Sequence, residues 1–155
     1  MARRPLPAAT LLASPDDVEA QFYEALQRGD IDKLMAVWAD DDEVVCVHPG
    51  GGRIIGPAAI RASFEAIFAN GGIPVQVEQV HRLQYQDSAL HHLVEKVQVA
   101  GADGQQQVAW VMTTNFYVKT ALGWRLASHH ASPGTLKPPG PGTAVVDGDG
   151  PNTLH

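Results

Sequence analysis

Cysteine is almost missing from this chain: Cys46 is the only one in 155 residues. No intrachain disulfide and no cysteine zinc cluster can therefore form. Cys46 sits in the apolar run 44–47 and reads as a small buried hydrophobe. Clustered basic residues are missing too. With 11 Lys+Arg against 17 Asp+Glu, the formal net charge is −6. The positive surface needed for non-specific nucleic-acid binding is lacking. No apolar run approaches the length that spans a bilayer, and there is no internal repeat. The opening MARRPLPAATLLAS has two arginines, but Pro5 and Pro7 interrupt its short apolar piece. It reads as a loose leader rather than a signal peptide, and a cytoplasmic protein is the expectation.

What is present suffices for one domain with a real core, since 45% of the residues are hydrophobic and 18% charged. Ser14, Pro15 and Asp17 form a helix entry: a hydroxyl cap, a proline at the first position and an acid in the first turn. Val18, Phe22, Ala25 and Leu26 then share a face at helical spacing. Gly29 stops that helix and Asp30 caps a second, whose apolar face is Ile31, Leu34, Met35 and Trp38. Residues 40–42 make an acidic, solvated turn. A short buried strand is expected at 44–48, a loop at 49–52, and a third helix from Pro57 with the stripe Ile60, Phe64, Ile67 and Phe68.

Beyond residue 72 the apolar period changes from helical to alternating. Four long strands are expected at 75–85, 89–100, 106–120 and 123–132, joined by short connections and so antiparallel. The composition from Pro133 turns to Pro, Gly, Thr and Asp without periodicity. The expected organisation is a leader over 1–13, a domain over 14–133 and a Pro/Gly-rich tail over 134–155. Three helices followed by an antiparallel sheet must cover one sheet face. Long strands twist and curl, giving a cone with a cavity at its open end.

This order and its local wording resemble the nuclear transport factor 2-like superfamily, also called the SnoaL-like or ketosteroid isomerase-like fold. The residues carrying the resemblance are FYEALQRGDIDKLMAVWADDDEVV, the HPGG loop, the GPAAIR helix start and TTNFYVKTALGWRLASHHASP. It implies an α+β, cystatin-like roll with three N-terminal helices on a curved antiparallel sheet. Function does not follow from that fold, whose members range from isomerases and cyclases to non-catalytic binders. The resemblance places His48, before Pro49, where the steroid isomerases carry an aspartate base. Their helix tyrosine falls on Phe22 and their second donor near Thr114. Two of three roles are thus lost, and steroid isomerase chemistry is not expected.

Strand parity supplies the remaining candidates. His91, Leu93, Glu95, Val97 and Val99 share a face, so Glu95 reads as an inward carboxylate needing a partner or a raised pKa. Trp110, Met112, Thr114, Phe116 and Val118 share a face of the next strand, with Asn115 and Tyr117 opposite. In the last strand His130 follows Trp124 and Leu126, while His129 lies with Arg125; a one-residue slip exchanges the two histidines. The expected pocket has His48, Glu95 and His130 as catalytic groups, with Phe22, Trp38, Trp110, Thr114 and Phe116 lining it. Each has a bland alternative: His48 as a strand cap, Glu95 as a buried structural partner, the tryptophans as core. The PGGG loop is not a phosphate loop, since no Gly-Lys-Ser/Thr follows.

Two functions remain in view. One is acid/base catalysis on a small apolar molecule by a His/Glu pair, of isomerase, dehydratase, cyclase or hydrolase type. The other is a non-catalytic pocket or protein-assembly module. A metal held by His48, Glu95 and His130 is a weaker third reading, and neither metal nor cofactor is expected. A homodimer formed sheet to sheet is expected through Thr113, Asn115, Tyr117 and Arg125.

Overall fold

In the computed structural model, residues 12–140 are described. Helix α1 (Pro15–Arg28) starts where Ser14 Oγ accepts the Asp17 amide at 3.1 Å, and ends on Gly29 with φ 67°. Asp30 caps the short α2 (Ile31–Met35) through the Lys33 amide. Strands β1 (Val45–Val47) and β2 (Arg53–Ile55) form a hairpin, and α3 (Pro57–Phe68) follows. Then come β3 (Val75–Gln84), β4 (Ser88–Ala100), β5 (Gln106–Thr120) and β6 (Gly123–Ala131). The α+β architecture is the expected one. Among the described residues no helix is long and apolar enough to cross a membrane.

The sheet has six strands in the order β2-β1-β6-β5-β4-β3. Two details depart from the sequence reading. Arg53–Ile55 pairs back on β1 as a strand, and β1 runs parallel to β6, although the other pairings between these six strands are antiparallel. One face, here called inner, carries the helices. Val18, Phe22, Leu26, Ile60 and Phe64 bury their side chains against Leu93 and Leu126, each residue 5% exposed or less. At ~25 cal/mol per Å², each such side chain contributes about 1.5–3 kcal/mol. Gly72 lets the loop after α3 pass close to the end of α1, since a Cβ there would lie 2.0 Å from the Gln27 carbonyl oxygen.

The described edges of the fold reach past the expected domain. Leu12 is core and its carbonyl accepts the Trp124 amide, while Thr135 exchanges two backbone hydrogen bonds with Trp110. Residues 1–11 and 141–155, most of the expected leader and tail, lie outside the described residues.

Register decides which side chains face in, because residues paired across strands share a face. In β4–β5, His91 faces Asn115, Leu93 faces Thr113 and Glu95 faces Val111. The inner face of β5 is therefore Val111, Thr113, Asn115 and Tyr117, all buried. Trp110, Thr114 and Phe116, expected to line the pocket, instead point outward together with Met112. In β6, Phe116 faces Ser128 but Tyr117 faces Leu126, so Ala127 is an extra residue in a bulge. The bulge breaks period-2 parity: Trp124 and Leu126 face in, and so do His129 and Ala131. His130 faces out and is exposed.

Candidate functional site

A cavity of about 260 Å³ opens between α3, the end of α1 and the inner face of the sheet. Its walls are apolar, built by Leu26, Phe64, Ile67, Val75, Val97 and Val111, and its polar side chains are His48, Glu95 and His129. Two of the three residues expected to be catalytic thus meet in one cavity, His48 where the resemblance put it and Glu95 where strand parity did. The third place belongs to His129 and not to His130. Phe22 is core, 1% exposed and stacked edge-on to Tyr23, Trp38 and Phe64. Trp38 is also buried, beside a different cleft near Met35 and Pro57.

Glu95 and His129 belong to a buried chain of hydrogen bonds. Tyr23 Oη donates to Glu95 Oε2 at 2.7 Å, and Asn115 Nδ2 donates to Tyr23 Oη at 3.0 Å. Asn115 Oδ1 lies 2.6 Å from His129 Nδ1. The chain closes into a near-ring, with His129 Nε2 4.0 Å from Glu95 Oε2. Tyr23 is a residue that the sequence reading passed over. The position matched to the isomerase tyrosine was Phe22, whereas the hydroxyl comes from the next residue, which is also inward on α1. An aromatic phenol one step from an expected hydroxyl position was the available signal.

Burial acts on these groups in opposite senses. It raises the Glu95 pKa above the ordinary carboxylate value, against the hydrogen bond from Tyr23 that lowers it. It lowers the His129 pKa to about 3, with the nearby His48 and His130 adding to the fall. Tyr23 is pushed well above the ordinary phenol value, first by burial and then by Glu95. Thus Tyr23 and His129 stay neutral at pH 7, while Glu95 is a strengthened base.

His48 continues the inward parity of Val44 and Cys46. Its Nε2 lies 2.9 Å from Ser63 Oγ on α3, and its ring stands edge-on to Phe64 with centroids 4.8 Å apart. Burial lowers its pKa. Cys46, just behind it, is a thiol raised to about 12 by burial and then by Glu95, which removes it as a nucleophile at neutral pH.

A second buried polar cluster ties α1 to the far end of the sheet. His91 Nδ1 is 2.6 Å from Glu19 Oε1, and Tyr117 Oη donates to the same oxygen at 3.4 Å. Arg82, the cross-strand partner of His91, holds Asp16 at 2.9 Å. Acids at i and i+3 on α1 therefore meet a cross-strand Arg/His pair. Asp16, Glu19 and His91 have ligand atoms close enough to suit a metal ion. The guanidinium on Asp16 and the imidazole on Glu19 already occupy those oxygens, so the cluster reads as a clamp.

An apolar cavity with a buried carboxylate, inside a helix-backed curved sheet, defines a pocket-bearing α+β roll. The SnoaL-like domain family matches residues 16–135, and the chain belongs to that family. Curated protein sequences give no match. Among solved structures, the chain is similar to a candidate calcium/calmodulin-dependent protein kinase type II association domain from Thiobacillus denitrificans. That match has 35% identity and a TM-score of 0.70, over 79% of this chain and 97% of that one. A candidate dehydratase of the NTF2-like family from Streptomyces avermitilis is 33% identical, with TM-score 0.67 over 75% of this chain and 90% of that one. A protein with a cystatin-like fold from Caulobacter vibrioides, at 15% identity and TM-score 0.65 over 76% and 84%, shares the fold alone.

Proposed function

We propose that this protein is a small-molecule enzyme in which Glu95 accepts a proton from a largely apolar substrate. The observation that carries the reading is a buried carboxylate at the wall of an apolar cavity, raised in pKa and held by Tyr23. General-base efficiency improves as the pKa nears the working pH. His129, depressed to about 3, is too weak a base for this role. It serves as a neutral positioning partner, and His48 lies at the same cavity. This reassigns the expected His base to the carboxylate. Isomerase, dehydratase and cyclase steps can each begin with such a proton transfer, and a hydrolase-like step can begin with the same carboxylate activating water. The 33% identical candidate dehydratase supports the class without fixing the reaction.

The test is a pH–rate profile on an active substrate found by screening small, largely apolar compounds. Activity should rise with pH through one inflection above the ordinary carboxylate range. Glu95→Gln should lower kcat by about 10²–10⁴. A Glu95→Gln variant with wild-type kcat sinks the proposal.

A second reading is an assembly module, favoured by the 35% identical association domain. The outer sheet face exposes Leu83, Met112 and Phe116 at 36% or more. The expected homodimer would use this face. Of the residues first expected there, Thr113, Asn115 and Tyr117 point inward, and Arg125 is buried with its guanidinium on the Trp124 carbonyl. A monomer in light scattering at micromolar concentration would rule this reading out.

A further inference from the structure

Hydrogen-bond direction fixes what the cavity's polar side chains can still offer. Ser63 Oγ donates to the Ile60 carbonyl at 2.7 Å. A hydroxyl has one proton, so its 2.9 Å contact with His48 must run from the imidazole. His48 therefore carries its proton on Nε2, and Nδ1 is a bare lone pair. Asn115 Oδ1 can only accept, so His129 carries its proton on Nδ1 and leaves Nε2 bare. Asn115 Nδ2 donates to Tyr23, whose own proton goes to Glu95 Oε2.

Each of these N–H and O–H groups is thus directed at another protein atom. What remains on Glu95, His129 and His48 are acceptors: one carboxylate oxygen and two neutral imidazole nitrogens. Two other buried donors lack a close partner among the described residues, Trp38 Nε1 and Thr113 Oγ1, and the latter is near enough to Glu95 to lower its pKa, so it too is turned to that carboxylate. Neither residue lines this cavity. A ligand that needs donors, such as a carboxylate, phosphate or enolate, finds no side-chain donor here and meets the charge of Glu95. A carbonyl gains nothing from three lone pairs.

We infer that the ligand meets this wall with a hydrogen-bond donor: a small apolar molecule whose polar end is an ammonium or hydroxyl group. An ammonium offers three N–H donors against these three acceptors, with Glu95 compensating its charge. A hydroxyl offers one donor and suits Glu95 alone. The inference rests on the cavity being a small-molecule site, and the experiment separates the two claims.

Toluene, benzyl alcohol, benzylamine and benzoate share one ring and differ only in the polar end. Their binding to the full chain is measured by calorimetry or thermal shift at neutral pH. Benzylamine or benzyl alcohol should bind at least about tenfold tighter than benzoate, a difference of ~1.4 kcal/mol. Amine above alcohol identifies the ammonium; alcohol above amine identifies the hydroxyl. Toluene binding together with benzoate equal to or above both donors overturns the donor inference and leaves the cavity standing. No binding by any of the four, toluene included, removes the small-molecule reading and the inference with it. Glu95→Gln should abolish the amine preference while keeping toluene binding. The wild-type series decides the matter if that variant fails to fold.

Discussion

Acid should unfold this protein in large part through one imidazole. His129 is 4% exposed and its pKa is depressed from 6.5 to about 3, chiefly by burial. In the unfolded chain it titrates normally, so between pH 6.5 and 3 the unfolded state binds a proton that the native state refuses. Stability therefore falls as pH falls through this window. At about 1.4 kcal/mol per pH unit, the loss is about 3 kcal/mol by pH 4 and about 5 kcal/mol once both states are protonated. Against a typical total of ~5–15 kcal/mol, that is a large share. Glu95 acts with the opposite sign: its raised pKa makes the native state bind the proton more readily, so its contribution is lost as pH rises. The two must be separated, and His129→Gln does so by deleting the titrating ring while keeping a polar side chain. Urea denaturation of wild type and variant at pH 7 and pH 4 gives four free energies. The wild type should lose about 3 kcal/mol more than the variant over that interval. Equal losses in the two proteins would refute the claim that a refused proton on His129 carries the effect.

Nitrogen-15 spectra at neutral pH should show opposite tautomers, the proton on Nδ1 in His129 and on Nε2 in His48; the reverse pattern breaks the acceptor-only cavity. Tyr23→Phe leaves Glu95 Oε2 and Asn115 Nδ2 each one partner short, and should cost about 1–3 kcal/mol by denaturation. Because that hydroxyl lowers the Glu95 pKa, the same change should move the inflection of any pH–rate profile upward. Glu19→Ala strands the buried His91 and should cost about 3 kcal/mol. Asp16→Ala, breaking a pair whose side chains are 47% and 60% exposed, should cost less than about 1 kcal/mol; equal costs in denaturant would contradict the burial argument.

Much of the fold was legible in the sequence because several local signals agreed. Ser14–Pro15, Gly29, Asp30 and Gly56–Pro57 punctuate three amphipathic stretches, and each did as its chemistry predicts. Parity also reads β4 correctly, turning Glu95 to the cavity where the resemblance places His48. It fails on β5, where hydrophobicity favours the apolar alternates Trp110, Met112 and Phe116 as the inner set. The true inner set is Thr113, Asn115 and Tyr117, because Tyr23 and Glu19 on α1 supply its hydrogen bonds. Hydrophobicity alone cannot rank two faces when a helix brings polar partners to the more polar one. On β6 the reading failed for another reason. The bulge at Ala127 has no sequence mark, yet it exchanges His130 for His129. Arg53–Ile55 was missed because three residues are too few for alternation to show.

The polar inner face also bears on why the proposed site lies where it does. A sheet buried against helices is most stable when both surfaces are apolar, and each buried polar group must be satisfied or it costs about 1–3 kcal/mol. This chain places Glu95, Asn115 and His129 on that surface; Tyr23 from α1 bonds Glu95 and Asn115, and Asn115 in turn bonds His129. The ring nonetheless stays open, since His129 Nε2 stops 4.0 Å from Glu95 Oε2, beyond hydrogen-bond reach. The His91–Glu19 pair, built from the same residue types on the same face, closes at 2.6 Å and lies outside the cavity. A closed pair fixes a helix to a sheet. The unclosed pair leaves its acceptors unengaged, and it is the one that faces the cavity.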